Sequence, residues 1–181
     1  MTAVHIHLML VHLPVVGVLF AAVILLFAQL MKRDLLTIVG YCTLLACAAT
    51  AAAAYYSGPS AADQLGASLG GGQSAGGGDP LTDWVEQHAL IAKVFFIALV
   101  LAAVLAMQAL LHFFQGDAPP GWLRWVILGS VAVLCYLGAW SAHLGGAIRH
   151  VEIREPEWLI FPHLEIERAP QQDPEPAPHP R

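Results

Sequence analysis

Residues 88–114, HALIAKVFFIALVLAAVLAMQALLHFF, carry a single charged side chain, Lys93, and this stretch decides the fold. A helix needs roughly 20 apolar residues to cross a hydrocarbon core about 30 Å thick, and this run exceeds that length. Working outward, three more runs qualify, at about 8–31, 35–56 and 122–144. The whole chain of 181 residues is 57% hydrophobic and 12% charged, about half the charged share of a soluble domain. Lys and Arg occur only at 32, 33, 93, 124, 149, 154, 168 and 181, so the charges lie mostly between or beyond the apolar runs. The expected fold class is all-α, an integral membrane four-helix up-and-down bundle occupying residues 1–150, and a soluble enzyme is excluded. The first run lacks the cationic start and short apolar core of a cleaved signal peptide, and it reads as the first spanning helix.

The connections set the topology. Lys32-Arg33-Asp34 and the heptapeptide QGDAPPG are tight reversals, so helices 1 and 2, and helices 3 and 4, are antiparallel neighbours. Residues 57–87 read as an outer loop with a flexible Gly/Ser-rich middle, and Pro80 to Gln87 as an acidic lead-in to helix 3. Residues 151–168 read as a surface segment and 169–181 as a disordered Pro-rich tail. The N-terminus has no Lys or Arg and the first connection has two, which places that connection in the cytoplasm and both termini outside. Lys93, Arg149 and Arg154 on the outer side balance Lys32, Arg33 and Arg124 on the inner side. The net charge of −5 arises mainly in the loop and the C-terminal segment, and it gives no reason to expect nucleic acid. Cys42, Cys47 and Cys135 lie inside the spans without CxxC spacing and read as small core residues.

Chemistry in a membrane comes from residues that are costly there, and here those are histidines. His12 sits about a turn inside helix 1, His88 opens helix 3 and His143 closes helix 4. In an up-and-down bundle all three lie at one face, whichever way the protein is inserted. Seven residues of helix turn through about 700° and return to nearly the same side. His5 would therefore lie above His12, and His150 above His143 if the helix continues past Gly145-Gly146. His7, His112 and His163 read as ordinary interfacial residues with their polar edge among headgroups.

Such a set suits two cofactors. A b-type haem needs axial imidazoles, small residues where the porphyrin meets the backbone, and cations for its propionates. His12, His88 or His143 would be the ligands; Gly17, Gly138, Gly145 and Gly146 would allow close approach; Lys93 or Arg149 would meet the propionates. A zinc or copper site on His12, His88 and His143, extended by His5 and His7, is the competing reading. Hydrolytic catalysis has little support, since no nucleophile elbow or HExxH helix is present.

Taken in order, HIHLMLVHLPVVG (residues 5–17), YYSGPSAADQ, VEQHALIAK and AHLGGAIRHVEIR resemble a family of uncharacterised bacterial four-helix inner-membrane proteins. HIHLMLVHLPVVG, residues 5–17, is similar to that family's opening, approximately HxxLVHxPIxx. YYSGPSAADQ after helix 2 is similar to its YTGxPAE, VEQHALIAK to its acidic HxxxA, and AHLGGAIRHVEIR to its GHLGGxIRHxEI. The resemblance touches all four helices, is most specific in the last segment, and puts His12, His88, His143, Gly145, Gly146, Arg149 and His150 on motif positions. The Gly-rich insert at 66–78 and Ala89 after His88 depart from the pattern. The family implies a bacterial inner-membrane location and a cytochrome-like histidine pattern, with no settled function.

The expectation is a membrane protein that binds haem b near its outer face and carries electrons between a quinol or redox partner and an acceptor outside. In this reading His12 and His88 are axial ligands from diagonal helices, and His143 stands beside them as a supporting donor. Two alternatives stay open: a non-catalytic subunit of a larger respiratory or photosynthetic complex, and a zinc- or copper-binding membrane protein.

Overall fold

The computed structural model describes residues 3–68 and 80–149. Four helices account for them: α1 (Ala3–Met31), α2 (Asp34–Ser68), α3 (Pro80–Phe114) and α4 (Gly121–Arg149). Each contains a segment long and apolar enough to cross a membrane, namely His7–Met31, Asp34–Ser60, Trp84–Phe114 and Gly121–Ile148. The outward faces are as apolar as the inward ones: Phe20, Leu101, Val104 and Trp125 are each more than 60% exposed. A contiguous surface of that kind is a liability in water and is at home against lipid tails. The all-α bundle is therefore as expected.

α1 packs on α2 and α4, and α3 packs on α4 and α2, while α1 and α3 make no close contact. This is the square up-and-down arrangement, with α1 diagonal to α3. The core follows a repeat of seven along each helix. On α1 Pro14, Val18, Ala21, Leu25 and Ala28 are buried, and on α3 Phe95, Leu99, Ala102, Ala106 and Ala109. Alternating steps of four and three residues keep such a seam facing its neighbours in a bundle crossing at a shallow angle. Glycine lets α1 and α2 approach: a Cβ on Gly17 would fall on Cys47 Sγ, and one on Gly40 would lie 2.5 Å from Leu25 Cδ2. Close backbone approach at small residues is the usual source of helix association in lipid, where no hydrophobic force acts between helices.

Both short connections close the same way. Lys32 takes a left-handed φ of 51°, and the Arg33 amide donates to Ala28 O at 3.1 Å. Gly116 takes a φ of 86°, and the Asp117 amide donates to His112 O at 3.0 Å. These are Schellman caps, which satisfy helix-end carbonyls and reverse the chain. At this end Arg124 Nη2 meets Asp34 Oδ1 at 2.9 Å, joining α4 to α2.

The expected loop 57–87 is largely helical instead. α2 runs on through Pro59 to Ser68 and α3 begins at Pro80, leaving only 69–79 outside the described residues. Apolar length was the wrong guide here, because a helix can continue beyond the lipid. Ala61, Ala62, Gln64 and Leu65 are good helix formers, and proline suits the first position of α3, where its missing N–H costs nothing. The acidic lead-in is thus the first turns of α3. The segments 151–168 and 169–181 lie outside the described residues.

Candidate functional site

The N-terminal ends of α1 and α3 and the C-terminal parts of α2 and α4 meet at the end of the bundle away from the short connections. Two imidazoles are held there. His7 Nδ1 donates to Ala54 O at 3.0 Å and lies 3.0 Å from Ser57 Oγ, both on α2. His88 Nδ1 donates to Ser141 O, on α4, at 3.1 Å. A carbonyl oxygen can only accept, so both rings carry their proton on Nδ1 and, when neutral, an open lone pair on Nε2. Neither Nε2 makes a hydrogen bond to a described residue. The two rings come from diagonal helices, both near the end of the bundle away from the short connections.

Helix phase explains why these two turn inward. His7 precedes Pro14, Ala21 and Ala28 by multiples of seven, and His88 stands in the same relation to Phe95, Ala102 and Ala109. Each histidine therefore continues the phase of a buried seam toward this end of the bundle. Small residues flank them: a Cβ on Gly145 would lie 3.2 Å from His88 Cε1, and one on Gly58 would lie 3.6 Å from His7 Cε1. The first is tighter than ordinary contact, so Gly145 lets the His88 ring lie against α4. Toward the same end, Tyr55 of α2 stacks on Phe96 of α3 with centroids 5.0 Å apart.

His12 does not join this pair. It is exposed, and its Nδ1 bonds to Leu8 O of its own helix at 2.8 Å. Five residues of helix separate it from His7, a rotation of about 140°. The expectation that His12 faces His88 is corrected on that ground: His12 lies on another side of α1 and about 7.5 Å of helix deeper than His7. His7, read as an ordinary interfacial residue, takes its place. His143 is half-buried on α4, two residues past Ser141 and so turned about 200° from the carbonyl that holds His88. Lys93 is exposed, again about 140° around its helix from His88. Gly138 is a packing glycine against Phe95, Gly17 packs on Cys47, and a Cβ on Gly146 would meet nothing within 4 Å. His150 and the side chains of His5 and Arg149 lie outside the described residues.

Among the described residues no group of three His, Cys, Asp or Glu is placed to hold a metal ion, so His12, His88 and His143 do not form one centre. What the site offers is two imidazoles, on diagonal helices near one end of the bundle, each with its tautomer fixed by a backbone carbonyl. The class defined by fold and site is a four-helix membrane bundle with a histidine pair near one end. Comparison of the chain with protein-family models, with curated proteins and with solved structures gave no match.

Proposed function

We propose that the protein binds haem b between His7 and His88 and serves electron transfer at one face of a bacterial inner membrane. The observation that carries this reading is the pair itself: two imidazoles on diagonal helices, each with Nδ1–H on a backbone carbonyl and with Nε2 bonded to no described residue. A histidine that ligates a metal almost always donates its other ring N–H to a carbonyl or carboxylate, which fixes the tautomer and orients the ring. The donor set, two imidazoles, would suit haem iron, with His7 and His88 as the residues that would hold it, and it does not suit a closed zinc site of four ligands. When bound, haem would supply one-electron chemistry at a potential tuned by burial and by those two hydrogen bonds.

The chain's own part is to orient and insulate. Ala54 O, Ser57 and Ser141 O aim the rings, Gly145 gives the His88 ring its place, and Phe95 and Leu99 begin the apolar core below. A membrane quinol and a redox protein outside are the partner classes this reading takes, with both termini on the outer side. Support for that orientation is the first hairpin, whose N-terminal side has no Lys or Arg and whose connection carries Lys32 and Arg33. The test is a reduced-minus-oxidised absorbance spectrum of the purified protein with its haem content. The expected result is a sharp low-spin α-band at one haem per chain; a colourless protein, even when expressed with excess haem, would sink the reading.

A further inference from the structure

We propose that the two hairpins, α1–α2 and α3–α4, are repeats of one unit related by a pseudo-two-fold axis along the bundle, with His7 and His88 as the equivalent halves of one site on it. The ligand class, a centre that takes two opposed nitrogen lone pairs, rests on the haem reading; the repeat does not.

Moving 81 positions along the chain carries His7 onto His88 and the buried Pro14, Val18, Ala21, Leu25 and Ala28 onto the buried Phe95, Leu99, Ala102, Ala106 and Ala109. It also carries Ala21-Ala22-Val23 onto the identical Ala102-Ala103-Val104, and exposed His12 onto exposed Lys93. A shift of 87 relates the second helices: Leu44, Cys47, Ala51 and Ala54 fall on Val131, Leu134, Gly138 and Ser141, all buried, and Gly58 falls on Gly145.

A seam of period seven alone would align equally well one heptad either way. The hydrogen bonds choose the register. His7 bonds to the carbonyl of Ala54 with a glycine four residues on, and His88 bonds to the carbonyl of Ser141, again with a glycine four residues on. The ends agree as well, since α2 starts at Asp34 and α4 at Gly121, again 87 apart. The difference of six between the two shifts is accounted for at the Schellman caps. The left-handed residue moves from 32 to 116, three more than 81, and the stretch from it to the next helix grows from 33 alone to 117–120. Both hairpins begin at the same end of the bundle, so the axis runs along the membrane normal, the relation found in parallel internal repeats.

The relation is broken where Ser57 corresponds to Leu144. Only His7 therefore has a hydroxyl beside its Nδ1.

The repeat predicts equal distances across it, and these can be measured on the full chain in nanodiscs by pulsed electron spin resonance. Spin labels go on exposed equivalents in a background of Cys47→Ala and Cys135→Ala. One pair joins His12→Cys with Gly129→Cys, with Cys42→Ala added; the other joins Lys93→Cys with the native Cys42. The expected result is that the two mean distances agree to within a fraction of a helix diameter of about 10 Å. A difference of a full diameter overturns the repeat.

Nitrogen-15 histidine spectra of the same protein give the second reading: both rings should show the Nδ1–H tautomer, and Nε2–H in either one overturns their equivalence. With hemin as the probe, both ring signals should broaden together at one equivalent. Broadening of one ring alone overturns the shared site. If hemin moves neither ring, the haem reading falls, while matched distances and matched tautomers still establish the repeat.

Discussion

The two ends of the bundle use polar groups in opposite ways. At the short-connection end, polarity is charge: Lys32, Arg33, Asp34 and Arg124 cluster around two Schellman caps, and Asp34 pairs with Arg124 in a bond whose acidic partner is 59% exposed. At the other end, beside the exposed Glu86 and Lys93, polarity is imidazole, half-buried and tied to backbone carbonyls of the neighbouring helix. Charge that faces water costs little and gains little, whereas a polar group between apolar helices persists only with its partners in place. The first end closes the fold and the second end holds a site. Changes at the histidine end should therefore move ligand binding, and changes at the charged end should move only stability.

The largest expected effect short of removing a ligand is at Gly145. Gly145→Leu puts a side chain where the His88 ring lies, and it should weaken haem binding by at least the roughly 10–100-fold typical of losing a supporting partner to a metal-bound histidine. Its neighbour Gly146, whose Cβ would meet nothing within 4 Å, is the control. Gly146→Ala should leave the haem titration curve unchanged. An equal loss at both positions would mean that the glycine pair matters for the helix and not for the ring.

Ser57→Ala comes next. It removes one of two groups at His7 Nδ1 and leaves the bond to Ala54 O, so the affinity should fall by about tenfold at most, in line with about 0.5–1.5 kcal/mol for one hydrogen bond. A loss as large as that at Gly145, seen in the same titration, would give the hydroxyl the main orienting role.

At the charged end, Asp34→Asn should cost no more than about 1 kcal/mol, as exposed pairs do, with an unchanged haem spectrum. Thermal unfolding in detergent measures the first and absorbance the second. Lys32→Gly should be neutral or stabilising by up to about 1 kcal/mol, because a side chain with φ of 51° carries strain that glycine does not. A spectral change in either variant would contradict the division of labour between the two ends.

The sequence made the helices legible because lipid imposes a length, and the four apolar runs met it. It left the helix ends illegible for the same reason: residues 57–68 and 80–87 are polar enough to leave the membrane yet remain helical. For the site, the end of the bundle could be read from position, and the face could not. His12 was placed by counting from an expected helix start near residue 8, whereas α1 begins at Ala3, and the phase that excludes it was visible only by extending the buried heptad Pro14, Ala21, Ala28 back to His7. That signal was present but unmarked, since α1 is apolar all round and no polar face declares its inner side. The carbonyls of Ala54 and Ser141 carry no signature in residue type at all, because the backbone supplies them. Gly145 was singled out for close approach, and the partner it admits is an imidazole ring.

The central claim is that His7, and not His12, faces His88. The most direct test is the reduced-minus-oxidised spectrum of His7→Ala beside that of His12→Ala, each compared with the wild type at matched protein concentration. The α-band should vanish in His7→Ala and keep its full height and position in His12→Ala. A full band in His7→Ala, with loss of the band in His12→Ala, would contradict the account.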